Sequence, residues 1–369
     1  MHRHGGIAVT TASIPAPGLD ERSLLHTWSL EDGEFDQLLE HAERLAGPAG
    51  RQPLLAGARA AALFLAPSLR TRTSFEVACH DLGAHPVVLQ PGQGVWGFEH
   101  RDDVVMDGGA AEHVREAIPV LGTMTDVLAV RAFAGLQDAA LDRSEPVFGA
   151  IREAATVPLL NLESATDHPH QGLADALVLR RLGTGAGAGD RGAEAGGPAR
   201  GRHAKRVVVT WAPHVKPLPR AVPQAAVSAL VRDGHDVVLA HPPGFELDAT
   251  VLADAQAAAG RRGGSLSVTH DRAAALDGAD IVYAKSWGSV AHYGDATAGA
   301  TAVQSQDDWR VATHDLASHT RFMHCLPVRR GVVVDADVLD SPASLVVEQA
   351  ACRLAVQKAS LCRALGVMP

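Results

Sequence analysis

The residues with the clearest chemistry are Ser68-Leu69-Arg70-Thr71-Arg72-Thr73-Ser74-Phe75-Glu76, where arginines alternate with hydroxyls. The apolar run Ala61 to Ala66 precedes them and reads as a buried strand. After them the apolar residues of Phe75 to Leu82 recur at helical spacing. Thr73-x-x-Glu76 has the form of a capping box and predicts a helix start there. Cations and hydroxyls are then presented where unpaired N–H groups and the positive end of the helix dipole already favour an anion. That is a phosphate site in outline, although the same residues would also make an ordinary basic helix start on a surface.

Further candidates stand at the ends of apolar runs. Val127 to Val130 delivers Arg131, and Val157 to Leu162 leads through Glu163 to His168-Pro169-His170-Gln171. Lys285 follows a strand read over Asp280 to Ala284, and His324-Cys325-Leu326-Pro327 has Arg329 and Arg330 close behind. In an open α/β sheet ligands bind beyond the carboxyl ends of strands, so these are site positions. Taken singly, Arg131 and Lys285 would be solvated groups at strand ends. Cys325 as a nucleophile would need a positioned base and an oxyanion site as its neighbours. Trp96, in the glycine-rich loop Pro91 to Gly97, lacks regularly spaced apolar neighbours and reads as a lid or an interface anchor.

These positions imply a scaffold. Helical periodicity appears over Leu30 to Leu45, closed by Gly47-Pro48, over Glu112 to Leu121, and from Gln171 onward. Pro86 to Leu89 reads as a short strand. From Arg206 strands and helices alternate: strand to Trp211, helix Pro219 to Arg232, strand Val237 to Ala240, helix Asp248 to Ala259, strands Ser265 to Thr269 and Asp280 to Ala284. Such alternation predicts α/β architecture with open, largely parallel sheets flanked by helices. We expect a tail over residues 1–22, a first domain over 23–165, a second over 166–343 and a flexible insertion over 183–205. The helix over Leu345 to Leu365 places Lys358 in its apolar stripe, where it would snorkel from the edge. The insertion's glycines do not form a dinucleotide loop, since no strand leads into them and no helix leaves them.

Composition limits the alternatives. A chain of 369 residues accommodates two domains, and 46% hydrophobic with 20% charged residues describes a soluble globular protein. A net charge of −9 argues against nucleic acid or a membrane surface as partner. Cys79, Cys325, Cys352 and Cys362 lack the spacing of a zinc site or a disulfide framework, which fits a reduced, cytoplasmic setting. No segment has the length of a membrane span. His2 and His4 read as part of a frayed polar tail rather than a metal site.

Ser-x-Arg-Thr-Arg-Thr resembles the carbamoyl-phosphate loop of the aspartate/ornithine carbamoyltransferase family. The later landmarks, Arg131, His-Pro-x-Gln at His168 and His-Cys-Leu-Pro at His324, follow in the family's order. The resemblance covers nearly the whole chain outside the tail and the insertion. It implies two α/β domains with a cleft site, a terminal helix over 344–366 that returns to the first domain, and a trimer with sites at subunit boundaries. Carbamoyl phosphate would be held by Ser68, Leu69, Arg70 and Thr71, by Arg131, His168, Gln171 and Arg329, and by Trp96 of a neighbouring subunit. No cofactor or metal is implied.

The acceptor follows from differences within the family. The Ser-Met-Gly of ornithine enzymes is missing, and Ala-Lys-Ser-Trp-Gly resembles the N-acylornithine branch, which implies acceptor contacts at Glu163, Lys285 and Leu326. The acetylornithine type has Glu where Ala111 aligns and Lys where Val333 aligns, so N-succinylornithine ranks first, N-acetylornithine second and free ornithine third. Lys216, Arg220 and Arg330 are the candidate cations for a succinyl carboxylate. The family's usual Cys is replaced by His170, with no role assigned. A non-catalytic metabolite-binding relative would have lost landmark side chains, yet Arg70, Arg131, His168, Gln171 and Arg329 are all present.

Overall fold

The computed structural model describes residues 19–183 and 204–369. In the first half come α1 (Leu19–Arg22), α2 (Asp32–Leu45), β1 (Arg59–Phe64), α3 (Leu69–Asp81), β2 (His85–Leu89), β3 (Phe98–Glu99) and β4 (Glu112–His113). They are followed by α4 (Val114–Met124), β5 (Val127–Arg131), α5 (Ala139–Ser144), α6 (Pro146–Ala154), β6 (Leu159–Glu163) and α7 (Pro169–Gly183). The runs Ala60–Phe64, Val127–Val130 and Leu159–Leu162 are apolar almost throughout and fully buried. Such strands belong in a parallel sheet covered on both faces. They form one, in the order β2-β1-β5-β6, every pair parallel.

The second half contains β7 (Arg206–Trp211), α8 (Ala221–Arg232), β8 (Asp236–Ala240), α9 (Ala249–Arg262), β9 (Ser265–Thr269), α10 (Arg272–Leu276) and β10 (Ile281–Lys285). Then come α11 (Ala296–Gln304), β11 (Arg321–Met323), α12 (Ala336–Leu339) and α13 (Val346–Ala364). Its sheet runs β11-β10-β7-β8-β9, again all parallel. In each sheet the chain order reverses beside the first strand, between β1 and β5 and between β7 and β10. Open parallel sheets bind ligands at such switch points, beyond the strands' carboxyl ends. Helix α7 joins the halves, packing on α8 and α13, and α13 also packs against α2 and α3. The ion pairs Arg143–Asp248 (2.7 Å) and Arg262–Asp36 (2.8 Å) fasten the halves together.

Several expectations are corrected. Leu19–Arg22 is helical rather than tail, and Leu24 bridges Leu160 at the edge of the first sheet. Glu112 and His113 pair with Phe98 and Glu99 instead of starting the helix. Lys358 does not snorkel: it is buried, with Nζ 2.7 Å from both Asp81 Oδ2 and the Gly50 carbonyl. A buried charge persists when it is paired and hydrogen-bonded in this way. His2, His4 and residues 184–203 of the insertion lie outside the described residues. Among the described residues no helix is long and apolar enough to cross a membrane, and no His/Cys/Asp/Glu group is arranged to hold a metal.

Candidate active site

Helix α3 is capped five residues before the expected position. Ser68, in extended conformation, accepts the Thr71 N–H at 3.2 Å and is the cap. Thr73 lies inside the first turns, its hydroxyl donating to the Leu69 carbonyl at 2.9 Å, and Glu76 pairs with Arg72 at the helical i,i+4 spacing. Two cap sequences overlap here, and the apolar stripe begins only at Phe75 because the first turn faces the site rather than the core. With the Thr71 N–H taken by the cap, the free N–H groups of the helix start belong to Leu69 and Arg70. Arg70 is half-buried with Nε unpartnered, and burial is the main cause of its lowered pKa. Arg72, exposed beside Glu76, stabilises the helix surface.

Across the switch point, β5 and β6 shift register between Val130 and Arg131, which sets Arg131 against Glu163. Arg131 Nη1 donates to Glu163 Oε2 at 2.5 Å, with its Cζ 4.4 Å from the Phe133 ring centre. His168 Nε2 lies 3.5 Å from the same carboxylate oxygen. A third guanidinium, which sequence reasoning missed, arrives from α13: Arg353, 4% exposed, donates from Nη2 to Thr71 Oγ1 at 2.6 Å. Burial, with repulsion from Arg131 and Arg70, lowers its pKa to about 10. Burial above all, then Arg353, Arg131, His170 and Arg70, holds His168 well below the usual imidazole range, so it is a neutral hydrogen-bond donor at physiological pH.

Three guanidiniums thus meet around one carboxylate, and the Nε atoms of Arg70, Arg131 and Arg353 are all buried without partners. Buried donors are ordinarily satisfied. Two uncompensated positive charges with directed N–H groups are the electrostatics of a dianion site.

Gln171 sits on the first turn of α7, buried, and donates from Nε2 to Asp175 Oδ1 at 2.8 Å, which leaves Oε1 as the end of the amide that Asp175 does not engage. His170 is turned away, with Nδ1 2.9 Å from the Asn161 carbonyl and burial pushing its pKa down to about 3. The folded value lies below the unfolded one of about 6.5, so neutral His170 costs nothing above that pH. Stability is then lost as pH falls from about 6.5 toward 3, at roughly 1.4 kcal/mol per unit. His170→Asn keeps a donor to Asn161 without the titration. Urea unfolding at pH 6.5 and 5.0 should show the wild type losing about 2 kcal/mol more than the variant, and equal losses would mean that His170 protonates freely in the fold.

On the second sheet, Lys285 ends β10, 7% exposed, with Nζ 3.1 Å from the Ser286 carbonyl and no acidic partner among the described residues. Arg329 Nε donates to His214 Nε2 at 3.2 Å, and His214 Nδ1 is 2.8 Å from the Lys216 carbonyl, a tautomer with the proton on Nδ1. Arg329 therefore lies with His214 beyond β7, whereas Arg353 is the arginine bonded to the phosphate loop. After β11, Leu326 adopts φ +56°, and its N–H donates to His324 Nδ1 at 2.8 Å. A bulky residue in that backbone region is strained and tends to mark a ligand clamp. Burial raises the Cys325 thiol pKa, which runs against a reactive thiolate.

The remaining candidates are placed differently. Val333, 1% exposed, belongs to the hydrophobic core, with its carbonyl bonded to the Val311 N–H, so its side chain offers no acceptor surface. Ala111 is exposed on the loop between β3 and β4. Trp96 is 58% exposed and donates to Glu112 Oε2 at 2.8 Å; no hydrogen bond ties it to the cluster. Of the candidate cations, Arg330 is occupied by a two-pronged pair with Asp340, Arg220 is buried near Tyr293 and Asp248, and Lys216 is exposed.

Comparison with known proteins agrees with this geometry. Residues 22–181 match the carbamoyl-phosphate-binding domain of aspartate/ornithine carbamoyltransferase, and 221–363 match its aspartate/ornithine-binding domain. The chain is 37% identical to the N-acetylornithine carbamoyltransferase of Xanthomonas campestris pv. campestris over 94% of its own length and 98% of that protein's. It is 36% identical to the N-succinylornithine carbamoyltransferase of Bacteroides thetaiotaomicron over 79% and 82%. The crystal structure of acetylornithine transcarbamylase complexed with acetylcitrulline superposes with a TM-score of 0.85 at 36% identity, covering 94% of this chain and 99% of that one. The match of both halves to the two domains of one family, with relatives over nearly the whole chain, makes this chain a carbamoyltransferase of the aspartate/ornithine carbamoyltransferase family.

Proposed function

We propose that the protein transfers the carbamoyl group of carbamoyl phosphate to the δ-amine of an Nα-acylated ornithine, N-succinylornithine in first place, giving N-acylcitrulline and phosphate. The observation that carries the donor half is the set of three arginines around one carboxylate at the start of α3. Ser68, the Leu69 N–H, Arg70 and Thr71 hold the phosphate, and Trp96 of a neighbouring subunit in a trimer closes over it. Arg131, neutral His168 and Arg353 donate to the carbonyl oxygen. Arg353 takes the place that sequence reading gave to Arg329, which stands with His214 on the acceptor side.

The neutral amine attacks the carbonyl carbon, negative charge builds on the oxygen, and fixed donors stabilise it where it develops. The C–O bond to phosphate then breaks, and the dianion leaves into the cationic cluster. A free alkylamine is mostly protonated at neutral pH, its pKa being about 10. The departing phosphate is the proton acceptor in this reading, while Glu163, Lys285, Cys325 and the Leu326 carbonyl orient the acceptor.

Two observations favour succinyl over acetyl. Lys285 and Arg329 have no carboxylate partner among the described residues, which suits an acceptor with two carboxylates. Ala111 is small where the acetylornithine type has Glu. A glutamate-to-alanine variant of N-acetyl-L-ornithine transcarbamylase has been crystallised with carbamyl phosphate and N-succinyl-L-norvaline. Such a reaction belongs to arginine biosynthesis in the cytoplasm.

The test is citrulline-type product formation from carbamoyl phosphate with ornithine, N-acetylornithine and N-succinylornithine side by side. Succinylornithine should give the highest kcat/KM. Preference for the acetyl compound would overturn the succinyl assignment and leave the acylornithine reading in place. Failure of all three would remove ornithine acceptors altogether.

A further inference from the structure

Asp175 lies one turn beyond Gln171 on α7, 0% exposed and without an ion-pair partner among the described residues. Its Oδ1 accepts two amides, Gln171 Nε2 at 2.8 Å and Gln349 Nε2 at 2.6 Å. The other end of the Gln349 amide, Oε1, accepts the His324 backbone N–H at 2.9 Å. One carboxyl group therefore links α7 to α13, and both to the loop that carries Cys325 and Leu326. Its Oδ2 is buried near the Tyr283 hydroxyl, neither of them in a well-formed hydrogen bond. Burial raises the pKa of Asp175 to about 7, against the opposing pull of the Gln349 and Gln171 amides.

A glutamine amide can present either its NH2 or its oxygen to a ligand. An acceptor oxygen fixed behind Gln171 captures the NH2 and leaves the oxygen outward, the only arrangement that receives a carbamoyl NH2 instead of opposing it. We propose that Asp175 is a positioning residue that holds the Gln171 oxygen toward the carbamoyl amino group and, through Gln349 and the His324 N–H, sets the Cys325–Leu326 backbone against the same ligand. This rests on the assignment of Gln171 to the carbamoyl group.

The experiment compares Gln171→Ala, Asp175→Leu, the combined variant and Asp175→Asn, reading kcat, KM for carbamoyl phosphate and the affinity for inorganic phosphate. Asp175→Leu should lower kcat/KM about 100-fold, the scale on which misplacing a positioned group costs turnover. Phosphate affinity should stay within about 3-fold, because the phosphate loop has no bond to Asp175. Added to Gln171→Ala it should cost little more, since residues acting as a unit are not additive. Asp175→Asn keeps an acceptor oxygen and should stay within about 10-fold of wild type; it decides the matter if the leucine variant does not fold.

Unchanged turnover in Asp175→Leu, an equal loss of phosphate affinity, full additivity, or an asparagine variant as poor as Gln171→Ala would each overturn the proposal. A harmless Gln171→Ala would instead refute the assignment of Gln171 beneath it.

Discussion

Arg131→Ala should lower kcat by about 100- to 1000-fold, the usual cost of removing one fixed donor from a developing oxyanion. Its guanidinium ends β5 at the switch point and is aimed by the register shift at Val130 and by the 2.5 Å bond to Glu163. Lys285 and Arg329, the groups proposed to meet the acceptor, lie at the end of β10 and in the loop after β11, so KM for the acceptor should move by no more than about 3-fold. A second effect acts on the fold: Glu163 loses its direct hydrogen-bonded partner, with Arg70 and Arg353 still nearby, and breaking a buried ion pair costs up to about 3 kcal/mol. Arg131→Lys separates the two, because it keeps a charge near Glu163 without the two-pronged reach of a guanidinium. Stability should largely return while turnover remains at least about 10-fold down. Wild-type kcat in the alanine variant would take Arg131 out of the mechanism.

How far the sequence revealed the site depends on how local each contact is. The strands were legible because parallel, doubly covered strands are continuous apolar runs, and the residues just past their ends could be read directly. Arg131, Glu163, His168, Gln171 and Lys285 all come from such positions. The start of α3 was misread because Ser68 and Thr73 are both acceptable caps, and the choice is made by a first turn that faces the site. Strand β11 is only three residues long, and Val333 was taken for a site position although its side chain packs in the core.

Asp175 did have a local signal, its i,i+4 spacing from Gln171 on one helix face. Arg353 had none. It bonds Thr71 across 282 residues of chain, from a helix whose pattern reads as core.

That contact supports the sharpest separation of activity from stability. Arg353→Met should lower kcat/KM for carbamoyl phosphate by about 100- to 1000-fold through loss of a carbonyl donor, and yet leave Tm equal or higher. No carboxylate among the described residues bonds the cation directly; it shares its site with Arg70 and Arg131, and burial and their repulsion lower its pKa from 12.5 to about 10. By linkage that depression corresponds to roughly 3 kcal/mol of unfavourable free energy for holding the charge there. A methionine of similar reach relieves it, and replacing a buried charge by a well-packed apolar side chain is often neutral or stabilising. The opposing loss is one hydrogen bond to Thr71, about 1 kcal/mol. Calorimetry and steady-state kinetics on the same preparation decide the case. If Tm falls sharply and activity falls only with the folded fraction, Arg353 is a structural strut; if Tm holds while turnover collapses, the destabilising charge is retained for the reaction.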